Sequence, residues 1–115
     1  MTDCIFCKIA NKEIPSRAVY EDSELFAFKD INPKAPIHIL IVPKKHIASV
    51  NELRSEDEAL AGKMILAAKK IAEEQGVKEK GYKLLINVGK GAGQIVEHIH
   101  LHFLSGWPNE NIENH

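Results

Sequence analysis

Three histidines alternate with apolar residues in the segment His98-Ile99-His100-Leu101-His102-Phe103-Leu104. Successive side chains of a strand point to opposite faces, so the imidazoles share one face while Ile99, Leu101 and Phe103 share the other. Imidazole titrates near neutrality and can ligate a metal, carry protons or attack as a nucleophile, so a histidine-lined face points to metal binding or catalysis. Just upstream, Gly89-Lys90-Gly91-Ala92-Gly93 can turn backbone N–H groups toward an anion. A plain glycine-rich connection would use the same residues, but its position before the histidines favours phosphate. A second chemical pair is Cys4-Ile5-Phe6-Cys7, whose two-residue gap lets both thiolates grip one cation. A redox pair has the same spacing, and the loop is too short for a disulfide here to act as a strong staple.

These residues need a frame. Val19 to Phe28 reads as a hairpin around the turn-prone Glu21-Asp22-Ser23. Ile37 to Val42, bounded by Pro36 and Pro43 and nearly all β-branched or leucine, predicts a central strand buried on both faces, with His38 its one polar member. Ser55 with Glu58 has the spacing of a capping box, and Leu60, Met64, Ala67 and Ile71 recur at helical spacing until Gly76. One long helix from Glu56 to Gln75 follows. Tyr82 to Val88 and Ile99 to Leu104 supply two further strands. The sum is an α+β fold, with about five strands in one antiparallel sheet, one long helix and short helical segments.

The chain has 115 residues, enough for one domain with a core, and 109–115 reads as a polar tail. With 15 basic and 16 acidic residues the net charge is -1, which argues against non-specific binding to nucleic acid or a membrane surface. No long apolar stretch opens the sequence, so neither a secretory signal nor a spanning helix is expected, and a reducing, cytoplasmic setting is the default.

Gly93-Gln94-Ile95-Val96-Glu97-His98-Ile99-His100-Leu101-His102-Phe103-Leu104 resembles the histidine-triad signature of the HIT family. The resemblance extends through Cys4 to Ile9, Phe28 to Pro36 and His38 to His46, closest to the zinc-containing bacterial type of the Hint branch. It implies that His100 attacks the α-phosphorus of a purine nucleotide and forms a nucleotidyl-histidine that water cleaves. It further implies that His102 donates to a phosphate oxygen, with help from Asn87 and from backbone N–H groups of the loop at Gly93 and Gln94. His38, with His98, keeps the triad oriented. Asp30 accepts the ribose hydroxyls, and Phe6, Ile9, Ile14, Phe28 and Ile31 line the purine slot. By the same resemblance Cys4, Cys7, His46 and His98 hold a structural zinc, and two copies of the chain pair across the long helix.

Two departures qualify the likeness. Ile95 stands where many Hint proteins carry a serine that helps protonate the leaving amine, and Trp107-Pro108 follows Ser105-Gly106 sooner than in longer Hint tails. The activities that the resemblance leaves open are hydrolysis of a nucleoside phosphoramidate, hydrolysis of a dinucleoside polyphosphate, and nucleotide binding by a non-catalytic adaptor. Asn87, where the second class tends to have Gln, favours the first. The spacing of His98, His100 and His102 also leaves open a catalytic zinc held by the triad itself.

Overall fold

A computed structural model describes residues 4–108; the polar tail expected at 109–115 lies outside them. The strands are β1 (Ala18–Glu21), β2 (Leu25–Lys29), β3 (Ile37–Pro43), β4 (Tyr82–Leu85) and β5 (Leu101–Ser105). They form one antiparallel sheet in the order β1-β2-β3-β5-β4. Helix α1 (Ile5–Ala10) and the long α2 (Glu58–Glu74) pack on it, and short 3-10 turns span Val50–Glu52, Ser55–Asp57 and Lys90–Ala92. The expected α+β arrangement is thus present.

Alternation assigns the two faces. Leu25, Ala27, Ile39, Ile41, Ile99, Leu101 and Phe103 pack with Leu60, Met64, Ala67, Ala68 and Ile71 of α2 in one apolar cluster. Phe26, Phe28, Leu40 and Val42 form a second cluster with Phe6, Ile9 and Ala10 of α1. β3 is therefore covered on both sides, which is why its sequence is so uniformly apolar. The wholly buried Ile71 shows the weight of the α2 face: truncating such a residue to Ala costs about 2–5 kcal/mol.

The turn of the first hairpin is made by Asp22, whose Oδ1 accepts from the N–H groups of Glu24 and Leu25, each at 2.8 Å. Three boundaries differ from the sequence reading by two residues or more. The helix starts at Glu58 rather than Glu56; the 3-10 turn Ser55–Asp57 precedes it, and there the Asp57 carboxylate accepts from Arg54 N–H at 3.0 Å in place of a Ser55–Glu58 capping box. Lys45 holds that same buried carboxylate at 2.7 Å, a tertiary contact that the local spacing does not reveal. β4 ends at Leu85 rather than Val88, because the pairing with β5 stops at Leu85 opposite His102. β5 begins at Leu101 rather than Ile99, because the Ile99 N–H donates to the Ile47 carbonyl at 2.6 Å instead of joining the ladder.

Candidate active site

The register pairs His38 of β3 with Leu104 and Leu40 with His102 of β5, so His38 and His102 emerge on the α1 face. His98 and His100 reach the same face from the irregular backbone that leads into β5. Ile99, Leu101 and Phe103 point into the α2 core, so the alternation survives even where the strand does not.

Main-chain groups fix which ring nitrogen of each histidine carries its proton. A carbonyl only accepts, so His100 Nδ1–H donates to the His98 carbonyl at 2.8 Å, and Nε2 of neutral His100 keeps its lone pair. A backbone N–H only donates, so Lys34 N–H supplies His38 Nδ1 at 3.0 Å, and the His38 proton sits on Nε2. His38 Nε2–H then donates to His102 Nδ1 at 2.9 Å, leaving the His102 proton on Nε2. That His102 Nε2 is buried without a hydrogen-bond partner, a costly state for a polar atom unless a ligand completes it. Burial holds His102 neutral, with its pKa pushed down to about 4, and also lowers His38 and His100; the Asp30 charge and, for His100, the His98 carbonyl act in the opposite direction.

Around this relay the other expected residues divide. Asp30 Oδ1 accepts from Asn32 N–H at 2.9 Å, while Oδ2 lies 3.5 Å from His38 Nε2 on a partly exposed carboxylate. Phe6 meets His100 edge-on at 5.0 Å between ring centroids and Phe28 at 5.5 Å. Phe6, Ile9 and Phe28 are nearly buried in the α1 cluster with Ile14 against its edge, whereas Ile31, in the loop beyond β2, is 90% exposed. Asn87 stands beside Gly93, where a Cβ would lie 3.8 Å from its Nδ2; Gly93 has φ +92°, a conformation that favours glycine.

The loop itself differs from the anion cradle expected. The N–H groups of Ala92 and Gln94 both donate to the Gly89 carbonyl, and that of Gly93 donates to the Lys90 carbonyl, so these donors are used inside the turn. The Gln94 side chain is equally occupied: its Oε1 accepts from Gly89 N–H, and its Nε2 donates to the Ala48 and Val96 carbonyls. Gly93 and Gln94 therefore brace the loop beside Asn87.

Cys4, Cys7, His46 and His98 form a separate cluster whose ligand atoms all lie within 4.8 Å of one another. Four separations are 3.2 Å for Cys4 Sγ to His98 Nδ1, 3.3 Å for Cys7 Sγ to His46 Nδ1, 3.5 Å for Cys7 Sγ to His98 Nδ1 and 3.3 Å between the two Nδ1 atoms. A tetrahedral zinc with ordinary Zn–S and Zn–N bonds needs ligand separations of about 3.3–3.8 Å, so the set fits. His98 Nε2 donates to the Pro43 carbonyl at 2.8 Å, which turns the Nδ1 lone pair toward the thiols. Burial and the Cys4 thiol beside it push the Cys7 thiol up to about 11, so two thiolates here call for a cation between them. The cluster could bind a metal.

Asp30, His38 and His102 also approach within 4.8 Å, but their chemistry is different. His38 already accepts at Nδ1, so a metal on Nε2 would require an imidazolate. The three triad histidines form no such ligand group among the described residues, because His98 turns to the cysteines and His100 to the His98 carbonyl.

A profile of the HIT domain matches residues 11–109. The chain belongs to the HIT family. This HIT protein is 52% identical over 104 residues to Protein HitA of Neisseria gonorrhoeae, covering 90% of this chain and 96% of HitA. It is 49% identical over 106 residues to the purine nucleoside phosphoramidase of Escherichia coli K12, covering 92% of this chain and 89% of that enzyme. Among solved structures, a histidine triad protein from Clostridium difficile superposes with a TM-score of 0.92 at 45% identity over 98% of both chains. A HIT family hydrolase from Legionella pneumophila gives 0.89 at 50% identity, over 92% of this chain and 98% of that one. The HIT protein is accordingly an enzyme of the hydrolase class.

The backbone partners of the histidine rings, namely the Lys34 N–H and the Pro43 and His98 carbonyls, carry no signal in residue type and were not legible beforehand.

Proposed function

We propose that the chain hydrolyses purine nucleoside phosphoramidates at the α-phosphorus, with His100 as nucleophile. The observation that carries this reading is the proton placement: His100 presents an Nε2 lone pair, and its neighbour His102 presents an unpartnered Nε2–H. In the first step Nε2 of His100 bonds to phosphorus as the phosphorus–nitrogen bond of the substrate breaks, and the leaving nitrogen takes a proton from solvent to depart as the amine. In the second, water attacks phosphorus and gives up a proton to solvent as the bond to His100 breaks, releasing the nucleoside monophosphate. His102 Nε2–H donates to a non-bridging oxygen as charge builds there, with Asn87 alongside. The His98 carbonyl steadies the ring while it is positively charged. Asp30 offers its carboxylate to the ribose hydroxyls. Phe6, Ile9, Ile14 and Phe28 form the apolar wall behind the purine, and Ile31 covers it from the solvent side.

The likeness to an enzyme named purine nucleoside phosphoramidase supports this substrate class. In the cluster of Cys4, Cys7, His46 and His98 we propose zinc: four protein ligands would leave no open position, so its contribution is to pin α1 to the sheet. We further propose a cytoplasmic, reducing location, which keeps both thiols available. Two copies would pair through the outer face of α2, where Ile65 and Leu66 are exposed. Sedimentation of a Leu66→Asp variant tests the pairing, and an unchanged dimer would refute this interface.

The catalytic reading is tested by turnover of adenosine 5′-phosphoramidate and of a diadenosine polyphosphate by the wild type and by His100→Ala. Turnover of the phosphoramidate that disappears in the folded variant is expected. Activity retained by the variant would overturn the nucleophile, and preference for the polyphosphate would overturn the substrate class.

A further inference from the structure

The cysteine pair is tied to more than the cluster that could bind a metal. Cys4 is the residue that opens α1, and its Sγ accepts from the Cys7 N–H at 3.3 Å, so the two thiols sit on the first turn of that helix. Between them lies Phe6, whose ring touches His100 at 5.0 Å and His98 at 6.0 Å between centroids. His98 joins the same two systems a second time: its ring faces the thiols, and its carbonyl holds His100 Nδ1–H at 2.8 Å. Whatever displaces the first turn of α1 or frees the His98 ring therefore acts on the nucleophile directly. The cluster is reachable, since Cys4 is only half-buried and His46 is exposed.

We infer that Cys4 and Cys7 are an oxidant-sensitive modification site, at which formation of an intramolecular disulfide releases the cation and disengages Phe6 and His98 from His100. The inference rests on the reading of His100 as nucleophile. In the reaction, one thiolate attacks a peroxide oxygen and becomes a sulfenic acid as the peroxide bond breaks. The second thiolate then attacks that sulfur and expels hydroxide. The two sulfurs lose two electrons together, the peroxide gains them and leaves as two hydroxides that take up two protons from solvent, and His46 and His98, both neutral, are left without thiolate partners for a cation. The sulfurs must close to about 2.05 Å, which excludes a metal between them and pulls on the turn that carries Phe6. Because so short a loop gains little from closure, the disulfide is easily reduced again, as a reversible modification requires.

The test uses the full chain loaded with Zn2+ and titrated with hydrogen peroxide. Four quantities are read in the same samples: the mass of the Cys4–Cys7 peptide, Zn2+ released to a chromogenic chelator, hydrogen exchange over residues 5–10, and turnover of adenosine 5′-phosphoramidate. The expected result is loss of two hydrogens from the peptide in step with Zn2+ release, faster exchange confined to α1, and turnover lowered by about 10–100-fold, the scale on which groups supporting a site act. Dithiothreitol with Zn2+ should restore all four. Sulfonic acids in place of the disulfide, general unfolding, or a disulfide that leaves exchange and turnover as they were would each overturn the inference. Cys4→His keeps four ligands but has no disulfide to form, so its own turnover, whatever its level, should be unmoved by peroxide; a fall equal to that of the wild type would also overturn it. If the reduced, loaded protein turned over no nucleotide, the reading of His100 would fail instead, and the mass and exchange readouts would still judge the modification site.

Discussion

Two clusters of similar composition lie on the same face of the sheet and do opposite things. In one, His98 stands with His46, Cys4 and Cys7; in the other, His38 stands with His102 and Asp30. His98 gives its Nε2 proton to the Pro43 carbonyl and so turns a bare Nδ1 toward its neighbours. His38 receives the Lys34 N–H at Nδ1 and so turns a proton toward its neighbours. One backbone contact, acceptor in the first case and donor in the second, makes the difference between a ring that offers a lone pair to a cation and one that offers a proton. Residue type and proximity alone do not decide the chemistry of a histidine.

The largest effect should follow from cutting the relay. His102→Ala removes the unpartnered donor and is expected to lower kcat by about 10²–10³-fold, as loss of one such donor does, with the fold retained. Steady-state kinetics beside a circular dichroism spectrum checks it, and a near-normal kcat would remove His102 from the reaction.

Stripping the other cluster should act on stability first. At a free zinc concentration of 100 times its dissociation constant, binding adds about 2.7 kcal/mol, so exhaustive chelation should lower Tm by roughly 10–20 °C for a domain of this size. Calorimetry with and without chelator reads this. An unchanged Tm would mean that Cys4, Cys7, His46 and His98 hold no metal.

The comparison can be inverted with one backbone atom. Lys34→Pro deletes the N–H that fixes His38, at a cost of roughly 1 kcal/mol, or about fivefold in kcat. It also frees His38 to carry its proton on Nδ1 and expose Nε2. A second equivalent of Zn2+ should then bind, seen by titration calorimetry in the variant and not in the wild type. Identical stoichiometry in both would break the argument from proton placement.

The smallest effect near neutrality is the dependence on acid. His102 is held neutral to about pH 4 in the fold but titrates at its ordinary 6.5 when unfolded, so the unfolded chain binds more protons between these values. Stability is full above 6.5 and declines as pH falls toward 4. The fall in Tm over this window should be shallower in His102→Gln than in the wild type, and equal slopes would show that His102 is not the group responsible.

Much of this was legible in the sequence, and for identifiable reasons. The apolar run of β3, the spacing of Leu60, Met64, Ala67 and Ile71, and the alternation around His100 each reflect burial on one or two faces, which leaves a periodic trace. The composition of the cysteine cluster was legible through resemblance. The start of β5, the Asp57 cap and the state of the glycine loop were not, since each depends on a distant partner: the Ile47 carbonyl, the Lys45 ammonium, the Gln94 side chain. The tautomers were invisible altogether, because every peptide unit offers the same N–H and carbonyl.

The strand order has a consequence in time. β1, β2 and β3 are neighbours both in sequence and in space, so they can pair as soon as they exist, but β5 enters between β3 and β4 and brings His102 to His38 across 64 positions of chain. Contacts of such long range form late in folding. During synthesis His98, His100 and His102 thus emerge after β1 to β4, and His38 waits for its partner His102 until β5 enters between β3 and β4.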